Sequence, residues 1–160
     1  MKTFNDYSDE LILKCKKMWP YLSDQRCKNL VENNFQELIL NEKYNSSPSE
    51  KDHGYDAICN ETGKTIEYKY YLRGGNIRIT NIPIDIFDKG IEIATEWILK
   101  NTFKAEEIRI IPKDGKLYKF NHSDLNVKTI IEFVTMSNGK NKTCSISLNK
   151  TFLSLAYQII

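Results

Sequence analysis

The sequence predicts an α/β (α+β) fold, a mixed β-sheet flanked by helices. Three observations predict it. Apolar residues recur at helical spacing across the first quarter of the chain. Beyond about residue 52 the period changes to two, the spacing of half-buried strands. A further helical stretch then interrupts the strands, the alternation from which sheet-and-helix layers are built.

The elements follow in order. Over 8–19, Leu11, Ile12, Cys15, Met18 and Trp19 fall on one helical face, Ser8 can cap the start and Pro20 ends the run. Over 23–44, Cys27, Leu30, Val31, Phe35, Leu38 and Ile39 trace one apolar stripe and predict a single helix. Residues 45–52 are polar and read as a surface loop. Strands are expected over 55–59 and 65–72, joined by a turn at Gly63 as an antiparallel hairpin, with a third strand over 77–82. A helix is expected over 85–101, in which Gly90 would cost about 1 kcal/mol relative to alanine. Strands over 107–111 and 116–121 flank Asp114-Gly115, a hairpin turn signal. A second hairpin joins 127–135 to 143–148, and the tail, 151–160, suits either a strand or a short helix.

Composition bounds the function classes. The chain has 160 residues, 41% hydrophobic and 28% charged, which suits one globular domain over 1–160 rather than a disordered segment. The mean hydropathy is −0.49 and no apolar run approaches a membrane span. The N-terminus carries no signal-peptide core, so a cytoplasmic protein without a membrane partner is expected. Cys15, Cys27, Cys59 and Cys144 form no CxxC pair, and His53 and His122 lie far apart in sequence, so a zinc module is not expected. The thiols read as reduced and mostly buried. With 23 basic and 21 acidic residues the formal charge is +2, and charge alone does not point to nucleic acid.

Chemistry concentrates in one hairpin. Side chains alternate across a strand, so Glu67, Lys69 and Tyr71 share one face and Ile66, Tyr68 and Tyr70 the other. A carboxylate and an ammonium thus stand side by side on a rigid element. Asp56, from the partner strand, is expected opposite or near Glu67. Two close carboxylates repel, a conflict that a hard cation such as Mg²⁺ removes. The lysine can orient a water and offset charge developing on a phosphate. These parts suit phosphodiester hydrolysis.

Gly54-Tyr55-Asp56 followed by Glu67-Tyr68-Lys69 resembles the motif of the PD-(D/E)xK nuclease superfamily. Tyr55 stands where the motif's name places proline. That family's core is a helix, a strand hairpin with a third strand, a helix and a strand, and the order expected over about 24–111 is similar. The resemblance implies a restriction-endonuclease-like fold, with 116–160 of unassigned role. It implies catalytic Asp56, Glu67 and Lys69, and metal ligation by Asp56, Glu67 and the Tyr68 carbonyl. The family often adds an acidic residue from the first core helix, for which Glu37 is the candidate and Glu32 the second. Mg²⁺ is the implied cofactor, with Mn²⁺ as a substitute.

No Walker-type phosphate loop is present, so the core has to find its own substrate. A chain of this size resembles small type II restriction endonucleases. These usually cut short palindromes in double-stranded DNA as homodimers and are accompanied by a cognate DNA methyltransferase. Arg73, Asn76, Arg78, Thr80 and Asn81 supply the donors and acceptors that major-groove readout needs. An alternating strand would turn Asn76, Arg78 and Thr80 one way. Residues 137–142 form a second candidate DNA-contacting loop, and Lys14, Lys16 and Lys17 read as a solvated helix face. Two alternatives stand beside this reading: a junction, repair or RNA-cleaving nuclease of the same superfamily, and an inactive nucleic-acid-binding or interaction module.

Overall fold

The computed structural model describes residues 4–51, 54–70, 78–102, 104–112, 115–121, 134–135, 143–147 and 157–159. The fold is mixed α/β, a sheet accompanied by helices. The chain divides into two compact units, Met1–Ile66 and Glu67–Ile160, and the division falls inside one strand.

The first unit opens with three helices: α1 (Phe4–Met18), α2 (Asp24–Glu32) and α3 (Phe35–Lys43). Helix α1 starts a turn earlier than Ser8, with Asp6 in the first turn, where a negative charge opposes the helix dipole. Ser23 caps α2, its Oγ accepting from the Arg26 N–H at 3.1 Å. The single helix expected over 23–44 is broken at Asn33–Asn34. Both asparagine N–H groups donate to the Asn29 carbonyl, closing α2, and asparagine readily leaves helical geometry. The apolar stripe shifts phase at the break. Cys27, Leu30 and Val31 are buried with Cys15, Trp19 and Leu22 in a core between α1 and α2, whereas Phe35 and Ile39 are exposed.

Residues 45–52, expected as a loop, contain strand β1 (Ser46–Pro48). Its polar groups find partners inside the protein. Ser46 is buried and its Oγ donates to Asn41 Oδ1 at 2.7 Å, while the Pro48 carbonyl accepts from the Tyr21 hydroxyl at 2.7 Å. Composition alone did not show this satisfaction. Strand β1 pairs antiparallel with β2 (Ala57–Cys59), and β2 pairs antiparallel with the start of β3 (Thr65–Tyr70), as the hairpin expectation required.

In the second unit β3 continues beside β5 (Glu107–Ile111), followed by β6 (Leu117–Asn121) and β9 (Tyr157–Ile159). The β5–β6 and β6–β9 pairs are antiparallel, so residues 157–159 of the tail form a strand. The sheet is mixed, and with its other pairs antiparallel the parallel pair is β3–β5. The connection between them carries α4 (Ile91–Asn101), as a parallel crossover requires.

The helix expected over 85–101 is also broken. A 3-10 helix, Ile84–Lys89, ends at Gly90, whose φ of 106° no helix accommodates, and α4 starts just after it. Glycine reaches this region without steric cost. Ala94 and Ile98 are buried on α4, while Ile91 faces solvent.

Strand β4 (Arg78–Pro83) corrects the expected core. It does not extend the hairpin; it pairs antiparallel with β8 (Thr143–Ser147), which also pairs with β7 (Val134–Thr135). The third strand beside the hairpin is β1.

Candidate active site

Strand β3 forms because Ile66 and Tyr68 fall on one face and are buried there, leaving Glu67 and Lys69 on the other. Lys69 Nζ donates to Glu67 Oε1 at 2.6 Å. The two side chains are 29% and 16% exposed, so the pair is shielded yet open to solvent. A charge-assisted contact this short fixes both groups more tightly than a flexible surface bridge does. The side-by-side placement expected from period two is therefore observed.

Asp56 belongs to the first unit and precedes β2 in a bend rather than within the strand. Its N–H donates to the Ile66 carbonyl at 2.9 Å, and its own carbonyl accepts from the Ser49 N–H at 2.8 Å. Ile66 is the residue before Glu67 in the chain. Gly54 lies two residues upstream with φ 115°; a Cβ there would meet nothing within 4 Å, so the backbone conformation, not space, demands glycine. The segment around this bend borders a cleft of about 560 Å³ lined by Tyr21, Ser47, Ser49, Lys51, Tyr55 and Asn60.

Glu37, in the first turn of α3, lies 3.5 Å from Arg26 Nη2, with side chains 14% and 4% exposed. Arg26 Nε also donates to the Ser49 carbonyl at 2.9 Å. Glu32, at the end of α2, stands 4.0 Å from Lys28 on the surface. Among the described residues no group of three or more His, Cys, Asp or Glu side chains gathers into a metal-holding set. A ligand set drawn from Asp56, Glu67 and the Tyr68 carbonyl contains only two such side chains.

The inward face of β3 carries a feature that motif reading missed. Glu107 and Arg109 are buried on β5, where Arg109 Nε donates to Glu107 Oε1 at 2.6 Å. Arg109 Nη1 reaches the Tyr68 hydroxyl at 3.4 Å, and Lys119 Nζ lies 3.9 Å from Glu107 Oε2. Burial works against the Arg109 charge, but the Glu107 carboxylate and Tyr68 outweigh it and raise its pKa further. The signal was present in sequence as Glu107-x-Arg109, two opposite charges at strand spacing inside an apolar run. Only a strand covered on both faces turns that pattern into a buried pair.

The proposed DNA-reading residues are placed in part. Arg73 and Asn76 lie outside the described residues, as does 137–142. Arg78, Thr80 and Asn81 are on β4, at a sheet separate from the hairpin. The register of β4 against β8 shifts between Ile79 and Ile82, so the regular alternation expected through Thr80 is interrupted. Of the α1 lysines, Lys14 pairs with Glu42 at 3.5 Å and Lys16 with Asp24 at 3.0 Å, as a solvated helix face does.

Three of the expected thiols, Cys15, Cys27 and Cys59, are in no disulfide and are buried. Among the described residues no helix is long and apolar enough to cross a membrane. Comparison with protein-family models and with curated proteins found no match to this chain.

Proposed function

We propose that this chain is a Mg²⁺-dependent, site-specific double-stranded DNA endonuclease of the restriction type, acting as a homodimer on a short palindrome. The observation that carries this reading is the Glu67–Lys69 contact of 2.6 Å on one strand, partly open to solvent. The element order supports it. With β4 and the 3-10 helix inserted between β3 and α4, helix α3, strands β1, β2 and β3, helix α4 and strand β5 follow the helix, three strands, helix and strand of the nuclease superfamily that the motif resembles. The order matches only because β1, and not β4, is the third strand of the hairpin sheet.

The ligands that the resemblance implies, two carboxylates and a backbone carbonyl, are all oxygen donors, the class that a hard cation takes. Asp56, Glu67 and the Tyr68 carbonyl would hold it. Bound Mg²⁺, or Mn²⁺ in its place, supplies polarisation of a phosphoryl oxygen and a lowered pKa for its water. The remaining work belongs to the chain. Lys69 donates to the attacking water and offsets negative charge developing on the phosphoryl oxygens. Glu67 limits the rotamers of Lys69, so that less freedom is lost when substrate arrives. Tyr68, directed inward and held by Arg109, keeps the intervening residue from turning the strand. Arg78, Thr80 and Asn81 on β4, with Arg73 and Asn76, are the proposed base-reading groups.

The test is incubation with mixed phage and plasmid DNA in Mg²⁺, with and without EDTA, followed by sequencing of fragment ends. Discrete double-strand fragments that EDTA abolishes are expected, and their ends give the recognition site. A smear replaces site specificity with a non-specific nuclease. No cleavage of duplex, four-way junction or RNA in Mg²⁺ or Mn²⁺ overturns the enzymatic reading in favour of a binding module.

A further inference from the structure

We infer that Arg26 is a positioning residue for Asp56, acting through the Ser49 backbone with Glu37 as its anchor; this rests on the reading of Asp56 as a catalytic carboxylate. All of the contacts lie within the first unit. Glu37 Oε2 is 3.5 Å from Arg26 Nη2. Arg26 Nε donates to the Ser49 carbonyl at 2.9 Å. The Ser49 N–H donates to the Asp56 carbonyl at 2.8 Å, and the Asp56 N–H donates to the Ile66 carbonyl at 2.9 Å. A chain of contacts thus runs from a buried ion pair on two helices to the backbone of one candidate ligand.

The chemistry of each link restricts what could replace it. A buried guanidinium is costly unless its charge and its N–H groups are all engaged. Arg26 Nε donates to a carbonyl while Nη2 faces a carboxylate as an ion pair at 3.5 Å, both reached from the fork of one rigid planar guanidinium. A lysine ammonium carries the same charge on a flexible stem and lacks that fork. Ser49 directly follows β1 and Asp56 directly precedes β2, so the hydrogen bond between them joins the two ends of this connection. One end is tied to Asp56 and, through Arg26, to α2 and α3. The adjoining Pro48 carbonyl is tied by the Tyr21 hydroxyl at 2.7 Å. Polar loops bordering a cleft open easily when such ties are cut. Glu37 then has a role other than metal ligation: it balances the charge that holds the loop.

The experiment combines native-state amide exchange with cleavage kinetics in three full-length variants. Arg26→Lys keeps the charge. Arg26→Met with Glu37→Leu removes both buried charges, so that a fold survives if the lysine variant does not. Glu37→Gln keeps the shape of the anchor. Exchange at the Ser49 and Asp56 amides is expected to accelerate about tenfold or more in the first two variants. Amides of the α1–α2 core, such as that of Leu30, should be unchanged. For cleavage of a plasmid substrate, kcat should fall while KM holds, because buried Arg26 does not meet DNA. Unchanged exchange at Ser49 and Asp56 in a folded variant overturns the inference, whether or not the protein cleaves DNA. Accelerated exchange with an unchanged kcat also overturns it, since the contacts would then be purely structural. If wild-type protein cleaves nothing, the nuclease reading fails separately and exchange alone decides whether Arg26 holds Asp56. Weaker Mg²⁺ binding by Glu37→Gln in calorimetry, with normal Ser49 exchange, would make Glu37 a ligand and overturn its role as anchor.

Discussion

Lys69 and Glu67 illustrate how much two side chains can be asked to do. They touch at 2.6 Å, and each retains some exposure, so a substrate can reach both. If Lys69 orients the nucleophile and offsets phosphoryl charge, Lys69→Ala should lower single-turnover cleavage by about 10²–10³-fold or more. Glu67→Gln should do the same by removing a carboxylate. Neither should shift the urea midpoint much, because a partly exposed pair contributes only about 0–1 kcal/mol. Wild-type rates in both variants would remove the site assignment. Cys15 makes a contrasting case. Burial, followed by the neighbouring Cys27, pushes its thiol up from 9.0 to about 12. The folded state therefore keeps its proton where the unfolded chain releases it. That contribution to stability is complete below pH 9 and is lost as pH rises from about 9 towards 12. Thermal melts across that range should fall more steeply for wild type than for Cys15→Ala. Iodoacetamide at pH 8 should leave Cys15 unmodified until denaturant is added, as read by peptide mass spectrometry.

At the scale of elements, the breaks say more than the runs. Helical periodicity continued through Asn33–Asn34 and through Gly90, yet the chain turns at both places. Gly90 holds a φ of 106° between the 3-10 helix and α4, with open space around it. Gly90→Ala should therefore destabilise the protein by about 1–2 kcal/mol through backbone strain alone. A continuous helix would give the opposite result, a gain of about 1 kcal/mol from replacing glycine with alanine. Urea unfolding of the one variant separates the two. Strand β1 is the complementary lesson. Its sequence is serine, serine and proline, poor in strand formers, and it is held by the hydroxyl of Ser46, the carbonyl of Pro48 and the ladder to β2.

For the whole molecule, the near-zero charge is compatible with a nuclease. Carboxylates that gather a cation subtract from the basic count where DNA would arrive, and a bound cation restores positive charge there. Binding to a short duplex in EDTA should accordingly be weak. It should weaken by about tenfold or more between about 50 and about 200 mM salt, with a linear dependence of log affinity on log salt. Fluorescence anisotropy of a labelled duplex measures this directly. An affinity independent of salt would mean that phosphate contacts do not drive association.

Local stereochemistry was enough to set the geometry of the hairpin. Period-two alternation sends Ile66 and Tyr68 inward and Glu67 and Lys69 outward, and this needs only the pleat of a strand. It also determined where α2 starts, because the Ser23 cap is a contact between near neighbours. Features that depend on distant partners were set by packing. Which strand completes the hairpin sheet turned on two hydrogen bonds of a stretch whose composition reads as loop: the Tyr21 hydroxyl donates to the Pro48 carbonyl, and the Ser46 hydroxyl donates to Asn41 Oδ1. Whether Glu107 and Arg109 meet water or each other depended on β5 being covered on both faces. That Glu37 meets Arg26 depended on the break between α2 and α3, which sets the phase of one helix against the other. Local stereochemistry is written residue by residue, but the environment of a charge is set by parts of the chain that its own neighbours in sequence do not contain.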